Sequence, residues 1–325
     1  MSTRIPPALP LRAMDFSRRH HLLQWLGAAL PLAGCRSTPT PEINVGAKAG
    51  AGQILLAEAI GLHLESSFGP GSVTLRPPLG GTAMTHETLL ARQIDLYPEY
   101  SGVALTAILG LAPVSDPAQA REQVKANYRS RYRCEWVAPL GFANPPVLLT
   151  TRERAAKDNL STLSSAESLK GSWRLGATRE FVSRPDGLPF LLGTYKLTLS
   201  GGVQILEPSQ LYSALSNGQV TLVAGEALDA GAQDPAFQRL DDDRHAFPPH
   251  DAGIVVSLDA LDRLPNLLAS LNQLEGRFPF DRIARIAASL EQRQTAARDD
   301  AKAPPVPVRD FAANLLRESG LNPPQ

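Results

Sequence analysis

Apolar residues along the chain follow two spacings, one typical of short strands and one typical of helices. Short apolar runs at 43–45, 175–177 and 220–223 have the length of buried strands. Apolar positions three to four residues apart recur over 54–64 and 211–215, which predicts helices with one buried face. Strand and helix signals alternate from residue 43 onward, so the pattern predicts an α/β fold.

The C-terminal part is predicted to be helical. Leucines at helical spacing occur over 258–271, and a final helix over 311–316 is expected to end at Gly320. Between these patterns the proline-rich segment 303–308 predicts a polyproline-type connector. No internal repeat is visible, so the chain is expected to fold as one unrepeated arrangement.

The segment from 80 to 102 predicts a helix, a short strand and a sharp aromatic turn. Thr82 or Thr85 stands where an N-cap is expected, just before a helical pattern. Residues 94–97 then alternate apolar and polar side chains as a strand does. Since turns that follow strands often carry ligand contacts, this order of elements predicts a ligand cleft.

The N-terminus reads as an export signal over residues 1–34. Basic residues at 18–19 precede the apolar run 22–30, which is too short to span a membrane. Cys35 follows small residues and resembles the acylated cysteine of bacterial lipoproteins, with a polar tether over 35–41. The arginine pair leaves twin-arginine export open beside general secretion, and translation starting at Met14 is an alternative to Met1.

Charge and cysteine content narrow the class of protein. The chain has 32 basic and 32 acidic residues and zero formal net charge, so no global basic field favours nucleic acid. If Cys35 carries lipid, Cys134 is the remaining cysteine and no intramolecular disulfide forms. With 43% hydrophobic residues, the roughly 290 residues after the signal are expected to form two lobes with separate cores.

Five segments in chain order resemble the substrate-binding subunits of ABC transporters for glycine betaine, carnitine and choline. They begin with the strand and lysine-bearing loop at 43–53 and include the motif Ile-Asp-Leu-Tyr-Pro-Glu-Tyr-Ser-Gly at 94–102. The others are 139–144, the Glu-Phe and Arg-Pro-Asp-Gly-Leu-Pro turn at 180–189, and 242–252. The resemblance therefore extends over most of the chain that follows the signal.

The resemblance implies a type II periplasmic-binding-protein fold, with two lobes joined by a two-crossover hinge around a central ligand cleft. The first lobe would be built from 42–145 and 250–325, and the second from 146–249. The implied role is an extracytoplasmic, membrane-anchored protein of the periplasm or cell surface that delivers a small solute to ABC transporter permease subunits. Neither a reaction nor a cofactor is implied.

The resemblance also implies positions for the ligand. In the family a lysine and an arginine hold the ligand carboxylate, and a cage of tyrosines holds the quaternary ammonium by cation–π attraction. The cage positions map to Tyr100, Pro146, Glu226 and His250. The full set of ligand-binding positions is Lys48, Gln53, Thr82, Tyr100, Arg184, Glu226 and His250.

This chain departs from the family at three of the four cage positions. Pro146, Glu226 and His250 replace tyrosines, which removes about 1.5–6 kcal/mol of cation–π attraction. Glu226 and His250 supply polar atoms where the family has aromatic faces. We therefore expect a small polar, zwitterionic or anionic solute with N–H donors, rather than a quaternary-ammonium osmolyte.

Several alternatives stay open at this point. The small-residue loop 49–52 either admits an anion to a helix N-terminus or is a tight turn without ligand contact. Each predicted site residue has a structural alternative as a surface charge, a core residue or a hinge hydrogen-bonding group. The whole protein is alternatively a ligand sensor that presents its closed form to a membrane receptor. An enzyme that pairs Cys134 with a histidine is not favoured, because the residues around Cys134 form no recognisable motif. A metal site at His245, His250 and Asp251 is not favoured either, because 247–249 fits the hinge resemblance without any metal.

Overall fold

The computed structural model describes residues 42–169, 173–300 and 302–324. The predicted export signal, Cys35 and the tether lie outside the described residues. The strands are β1 (Ile43–Val45), β2 (Val73–Leu75), β3 (Leu96–Tyr100), β4 (Cys134–Val137), β5 (Pro146–Thr151), β6 (Leu175–Ala177), β7 (Val203–Ile205), β8 (Leu222–Glu226), β9 (Phe237–Leu240) and β10 (Ala252–Ser257).

Helices lie between the strands, as the alternating pattern predicts. They are α1 (Ala51–Phe68), α2 (Thr82–Leu90), α3 (Ser101–Val103), α4 (Pro117–Asn127), α5 (Arg152–Asp158), α6 (Leu163–Glu167), α7 (Arg179–Ser183), α8 (Leu188–Tyr195), α9 (Leu211–Ser216), α10 (Leu258–Arg263), α11 (Leu267–Asn272), α12 (Phe280–Asp299) and α13 (Val308–Glu318). Single π-helical turns follow α3 and α4. The helix predicted over 258–271 is interrupted between α10 and α11, where Pro265 cannot donate a helical hydrogen bond.

The strands form two separate five-stranded sheets. The first has the order β2-β1-β3-β10-β4 and the second has the order β7-β6-β8-β5-β9. In the first sheet β10 runs antiparallel to β3 and β4, and in the second β5 runs antiparallel to β8 and β9. The chain passes to the second sheet between β4 and β5 and returns between β9 and β10. Two mixed sheets joined by two crossovers confirm the predicted fold class, while the exact lobe limits stay a prediction.

The two crossovers lie side by side and bond to each other. Ala143 and Asp251 form an isolated antiparallel bridge, and the Asn144 N–H donates to the His250 carbonyl at 3.0 Å. Gly141, at φ +103, packs so tightly on the backbone of Gly276 that a Cβ atom would lie 2.9 Å from it. The first crossover is thereby fixed to the C-terminal part of the chain.

Each sheet is covered by apolar side chains on both faces. Helices α1, α12 and α13 pack on one face of the first sheet, and α2 and α4 cover the other with an aromatic cluster around Tyr97 and Tyr128. Leu55, Leu56 and Ile60 of α1 are fully buried, and each contributes about 1.5–3 kcal/mol by leaving water. Within the described part of the chain, no helix has both the length and the apolar character needed to cross a membrane.

The start of α2 corrects one sequence prediction. Its N-cap is Gly81, and Thr82 is the first helical residue, so neither Thr82 nor Thr85 caps the helix. The Thr85 hydroxyl instead donates to the Gly81 carbonyl one turn back. The Thr82 hydroxyl, which the cap does not use, points to the site described next.

Candidate functional site

Seven predicted ligand positions and four further polar residues lie together in one region between the two sheets, which we call the cleft. One wall is formed by the ends of β1 and β3 and the starts of α1 and α2, and the other by α7, the turn after it and the end of β8. The crossovers close the base of the cleft. The residues are Lys48, Gln53, Thr82, Glu99 and Tyr100 on the first wall, Glu180, Arg184, Asp186 and Glu226 on the second, and Asn144 and His250 on the crossovers.

Lys48 lies at the centre of the first wall and is only 7% exposed. Its Nζ is 2.5 Å from Glu99 Oε1 and 3.4 Å from Thr82 Oγ1. The same ammonium lies over the Tyr100 ring, 5.1 Å from the ring centroid, within cation–π range. The predicted donor to a ligand carboxylate therefore already has a carboxylate partner and an aromatic partner within the protein.

Glu99 is fully buried behind this lysine. Its Oε1 also accepts a hydrogen bond from the Tyr100 backbone N–H at 2.7 Å, while Oε2 has no partner among the described residues. Burial raises the pKa of Glu99, and the positive charge of Lys48 opposes that rise. Glu99 was not predicted as a site residue, although it stands inside the motif at 94–102.

A hydrogen bond connects the two walls directly. Thr82 Oγ1 donates to Glu180 Oε1 at 2.6 Å, and Glu180 Oε1 also lies 3.8 Å from Arg184 Nη1. Gly81 allows this approach, because a Cβ atom there would lie 2.9 Å from Glu180 Oε2. Glu180 thus occupies the place beside Thr82 and Arg184 where the family resemblance puts a ligand carboxylate.

Arg184 forms a buried bidentate pair with Asp186. Its Nε and Nη2 donate to the two Asp186 oxygens at 2.9 and 3.0 Å, and Asp186 is fully buried. Burial alone would raise the pKa of Asp186, but the hydrogen bond to His250 and the charge of Arg184 outweigh it and hold that pKa well below its usual range. Arg184, the second residue predicted to donate hydrogen bonds to a ligand anion, is therefore also paired with a carboxylate of the protein.

His250 is buried on the second crossover, and both of its ring nitrogens are used by the protein. Nδ1 lies 2.6 Å from the Pro248 carbonyl, which can only accept, so Nδ1 carries a hydrogen and donates it. Nε2 faces Arg184 Nη2 at 3.3 Å and Asp186 Oδ2 at 3.4 Å. His250 therefore orients the Arg184 pair from the hinge.

Glu226 is the exposed carboxylate of the second wall. Its Oε2 accepts from Asn144 Nδ2 at 2.7 Å, and the Asn144 oxygen accepts from the Leu228 backbone N–H. Burial, followed by the negative charge of Glu226, raises the pKa of Tyr100, which places this carboxylate near the Tyr100 hydroxyl. Burial and the same neighbour raise the pKa of Asp229 to about 7.

Gln53 is 5% exposed, and neither atom of its amide has a hydrogen-bond partner of ordinary length among the described residues. It lies close enough to the Tyr100 hydroxyl to lower the pKa of that group against the larger effect of burial. A buried amide without a partner is costly, so a bound ligand or water that satisfied it would be favoured.

The charges of the cleft are unevenly matched. Lys48 is paired with Glu99, and Arg184 is paired with Asp186. Glu180 and Glu226 lie beside these pairs without a dedicated cationic partner of their own in the described structure, apart from Glu180 at 3.8 Å from Arg184. The walls therefore carry an excess of negative charge.

The structure brings all seven predicted site residues to one place, but their role in binding a ligand stays a prediction. Sequence reasoning missed Glu99, Asn144, Glu180 and Asp186, each of which stands inside a motif that carried the family resemblance. Pro146 opens β5 and pairs in register with Glu226 at the edge of the cleft. The available signal was that all four are polar residues inside those motifs, a few positions from a predicted site or cage residue.

The metal and enzyme alternatives involve His245, His250, Asp251 and Cys134. Among the described residues, no group of three His, Cys, Asp or Glu side chains is placed to hold a metal ion. Cys134 is buried, and burial raises the pKa of its thiol to about 12, so the nucleophilic thiolate is not available at neutral pH.

Comparison with known proteins identifies the protein family. Residues 41–303 match the family of substrate-binding domains of ABC-type glycine betaine transport systems, and the chain belongs to that family. Its members are extracytoplasmic substrate-binding proteins of ABC importers.

Individual relatives bind different solutes. The carnitine transport binding protein of Listeria monocytogenes is 26% identical over 257 residues, covering 78% of this chain and 83% of that protein. An ergothioneine transport permease and binding protein of Helicobacter pylori is 25% identical over 297 residues, which cover 89% of this chain and 50% of that protein. A solved structure of a glycine betaine/carnitine/choline ABC transporter protein superposes with a TM-score of 0.67 at 23% identity, covering 86% of this chain and 99% of that chain.

Proposed function

We propose that this chain is the lipid-anchored binding protein of an ABC importer for a small polar solute that presents N–H donors rather than a trimethylammonium group. The observation that carries the proposal is the state of Tyr100. It is the one aromatic residue at the four cage positions, and its ring is covered by the Lys48 ammonium.

A quaternary ammonium has no N–H group and binds chiefly through aromatic faces. The cleft offers such a group no open ring at the cage positions, since Pro146, Glu226 and His250 replace the other three. It offers instead an exposed carboxylate at Glu226 and an unpartnered amide at Gln53, which accept hydrogen bonds from amines, amidines or ring nitrogens.

An acidic group on the solute also has a place. Thr82 and Arg184 now face the Glu180 carboxylate, and a ligand carboxylate that displaced Glu180 would meet the same donors. A zwitterionic solute would then place its acid at Thr82 and its N–H donors at Glu226. Contacts from both walls would favour the closed state and so present the loaded protein to the permease.

The relatives support import of a small solute, but the solutes in their names do not discriminate between an N–H-bearing ligand and a trimethylammonium ligand. The name of the Helicobacter relative combines a transport permease with an ergothioneine binding protein. Ergothioneine carries ring N–H groups in addition to a trimethylammonium group. Comparing it with glycine betaine therefore tests whether this chain selects the ring or the ammonium.

A thermal-shift screen of the soluble form that lacks the residues before Arg36 tests the proposal. Betaines, amino acids, amines, carboxylates and ergothioneine would be compared, because a ligand at a hundred times its dissociation constant adds about 2.7 kcal/mol of stability. Glu226→Gln should weaken the response to an N–H-bearing ligand, while Glu153→Gln on exposed α5 should not. Submicromolar binding of glycine betaine, choline or carnitine by the native protein would contradict the proposal.

A further inference from the structure

The ammonium of Lys48 occupies the position that a ligand cation would take on the Tyr100 ring. Its Nζ lies 5.1 Å from the ring centroid, and Lys48 as a whole is only 7% exposed. A ligand cation delivered to this face of the ring would find its place already taken by the ammonium group, which Glu99 holds there as an ion pair. The one aromatic ring at the cage positions is therefore already covered by a cation of the protein itself.

Glu99 is what keeps the ammonium there. Its carboxylate contacts Lys48 Nζ at 2.5 Å, and the same oxygen accepts from the Tyr100 backbone N–H at 2.7 Å. Glu99 is fully buried, so moving the lysine away would leave an uncompensated carboxylate in the interior. Pairing of β3 with β10 fixes Glu99 and Tyr100 in register, opposite Gly253 and Ala252.

We infer that Glu99 is a specificity-determining positioning residue, which holds the Lys48 ammonium on the Tyr100 ring and thereby excludes trimethylammonium solutes. The inference deepens the proposed function and rests on it. It assigns to Lys48 the role of a built-in cation, in addition to any contact with a ligand acid.

Choline separates this role from carboxylate binding. It carries a trimethylammonium group but no carboxylate, so a lysine that served only to hold a ligand acid would not affect it. Lys48→Ala uncovers one aromatic face, and choline affinity measured by isothermal titration should rise about two- to thirtyfold. Glycine betaine would serve as the companion probe, because its acid loses a donor in the same variant.

Two further variants distinguish the uncovered ring from a change of charge. Lys48→Met combined with Glu99→Gln leaves no buried charge behind and should also raise choline affinity. Tyr100→Leu should cost more choline affinity in the Lys48→Ala background than in the native background, since only there is the ring free. Thermal melting of each variant would confirm that it is folded before titration.

The outcomes are distinct. Tight choline binding by the native protein would overturn the proposed function and this inference with it. Weak native binding that Lys48→Ala does not improve would overturn the inference alone, and so would a gain that persists when Tyr100 is replaced by leucine. A gain that requires the Tyr100 ring, and that appears in the charge-neutral double variant as well, would establish it.

Discussion

Replacing Asp186 by asparagine removes one charge of a buried ion pair with almost no change of shape. Asp186 is fully buried and accepts from two guanidinium nitrogens of Arg184 at 2.9 and 3.0 Å. The amide of Asp186→Asn retains one oxygen that can accept, so one of the two hydrogen bonds can persist. Arg184, itself 8% exposed, would then be a buried cation without its counter-ion.

The expected loss of stability follows from that uncompensated charge. Breaking a buried ion pair from one side costs about 3–5 kcal/mol. Glu180 lies 3.8 Å from Arg184 Nη1 and offers partial compensation, so we expect the lower end, about 3 kcal/mol. For the roughly 290 residues after the signal unfolding as one unit, at about 2.1 cal/mol/K per residue, this corresponds to a fall in Tm of about 5 °C.

Calorimetry of the unliganded protein measures the change, and Glu318→Gln provides a matched control. Glu318 is paired with Arg285 on the surface, where an ion pair contributes at most about 1 kcal/mol. If Asp186→Asn destabilised the protein no more than Glu318→Gln, the Arg184–Asp186 pair would contribute no more to stability than a surface ion pair.

Measuring the stability of both proteins as a function of pH tests the same ion pair in a second way. The folded-state pKa of Asp186 is depressed, so its contribution to stability is present above its unfolded pKa of about 3.9 and is lost as the pH falls below that value. The stability difference between native protein and Asp186→Asn should therefore shrink below about pH 4. If the stability difference between the two proteins stayed constant into strong acid, the pKa of Asp186 would not be depressed in the folded state.

Three other predictions follow from the described structure and the signal sequence. Thr82→Val removes the donor to Glu180, a hydrogen bond worth about 1.5–3 kcal/mol, and should shift the empty protein toward an open form with a larger radius of gyration in X-ray scattering. An unchanged radius would contradict the view that this hydrogen bond holds the two walls together. Burial lowers the pKa of His86 to about 4, so stability should fall by at most about 1.4 kcal/mol per pH unit as the pH drops from 6.5 to 4, and His86→Phe should flatten that slope. Cys35→Ser should leave uncleaved precursor or release the protein from membranes, and normal processing and anchoring would refute lipid attachment there.

The sequence predicted the fold well because its signals are local. Strands and helices follow from apolar spacing, and the crossovers follow from segments that resemble the family. The start of α2 was mispredicted, since a threonine before a helical pattern is equally compatible with the cap and with the first turn.

The partners of the predicted site residues could not be predicted in the same way. Lys48 and Glu99 are 51 positions apart and meet only because β1 and β3 are neighbours in the first sheet. Asp186 is two positions from Arg184, yet a turn alone does not specify whether the aspartate faces the guanidinium or solvent. Pattern reasoning therefore identified donors for a ligand but not the counter-ions that already hold them.

The paired crossovers have a consequence for the order in which a solute is captured. Because 139–144 and 249–252 bond to each other, a rotation of the lobes would bend them together, and groups on these paired segments, the ribbon, would move least. Asn144 and His250 lie on the ribbon, whereas Thr82 and Glu180 lie on the walls that swing. Under the proposed function, a solute would therefore meet Asn144 and His250 in nearly the same arrangement before and after closure, while Thr82 and Glu180 would come together only as the walls approach.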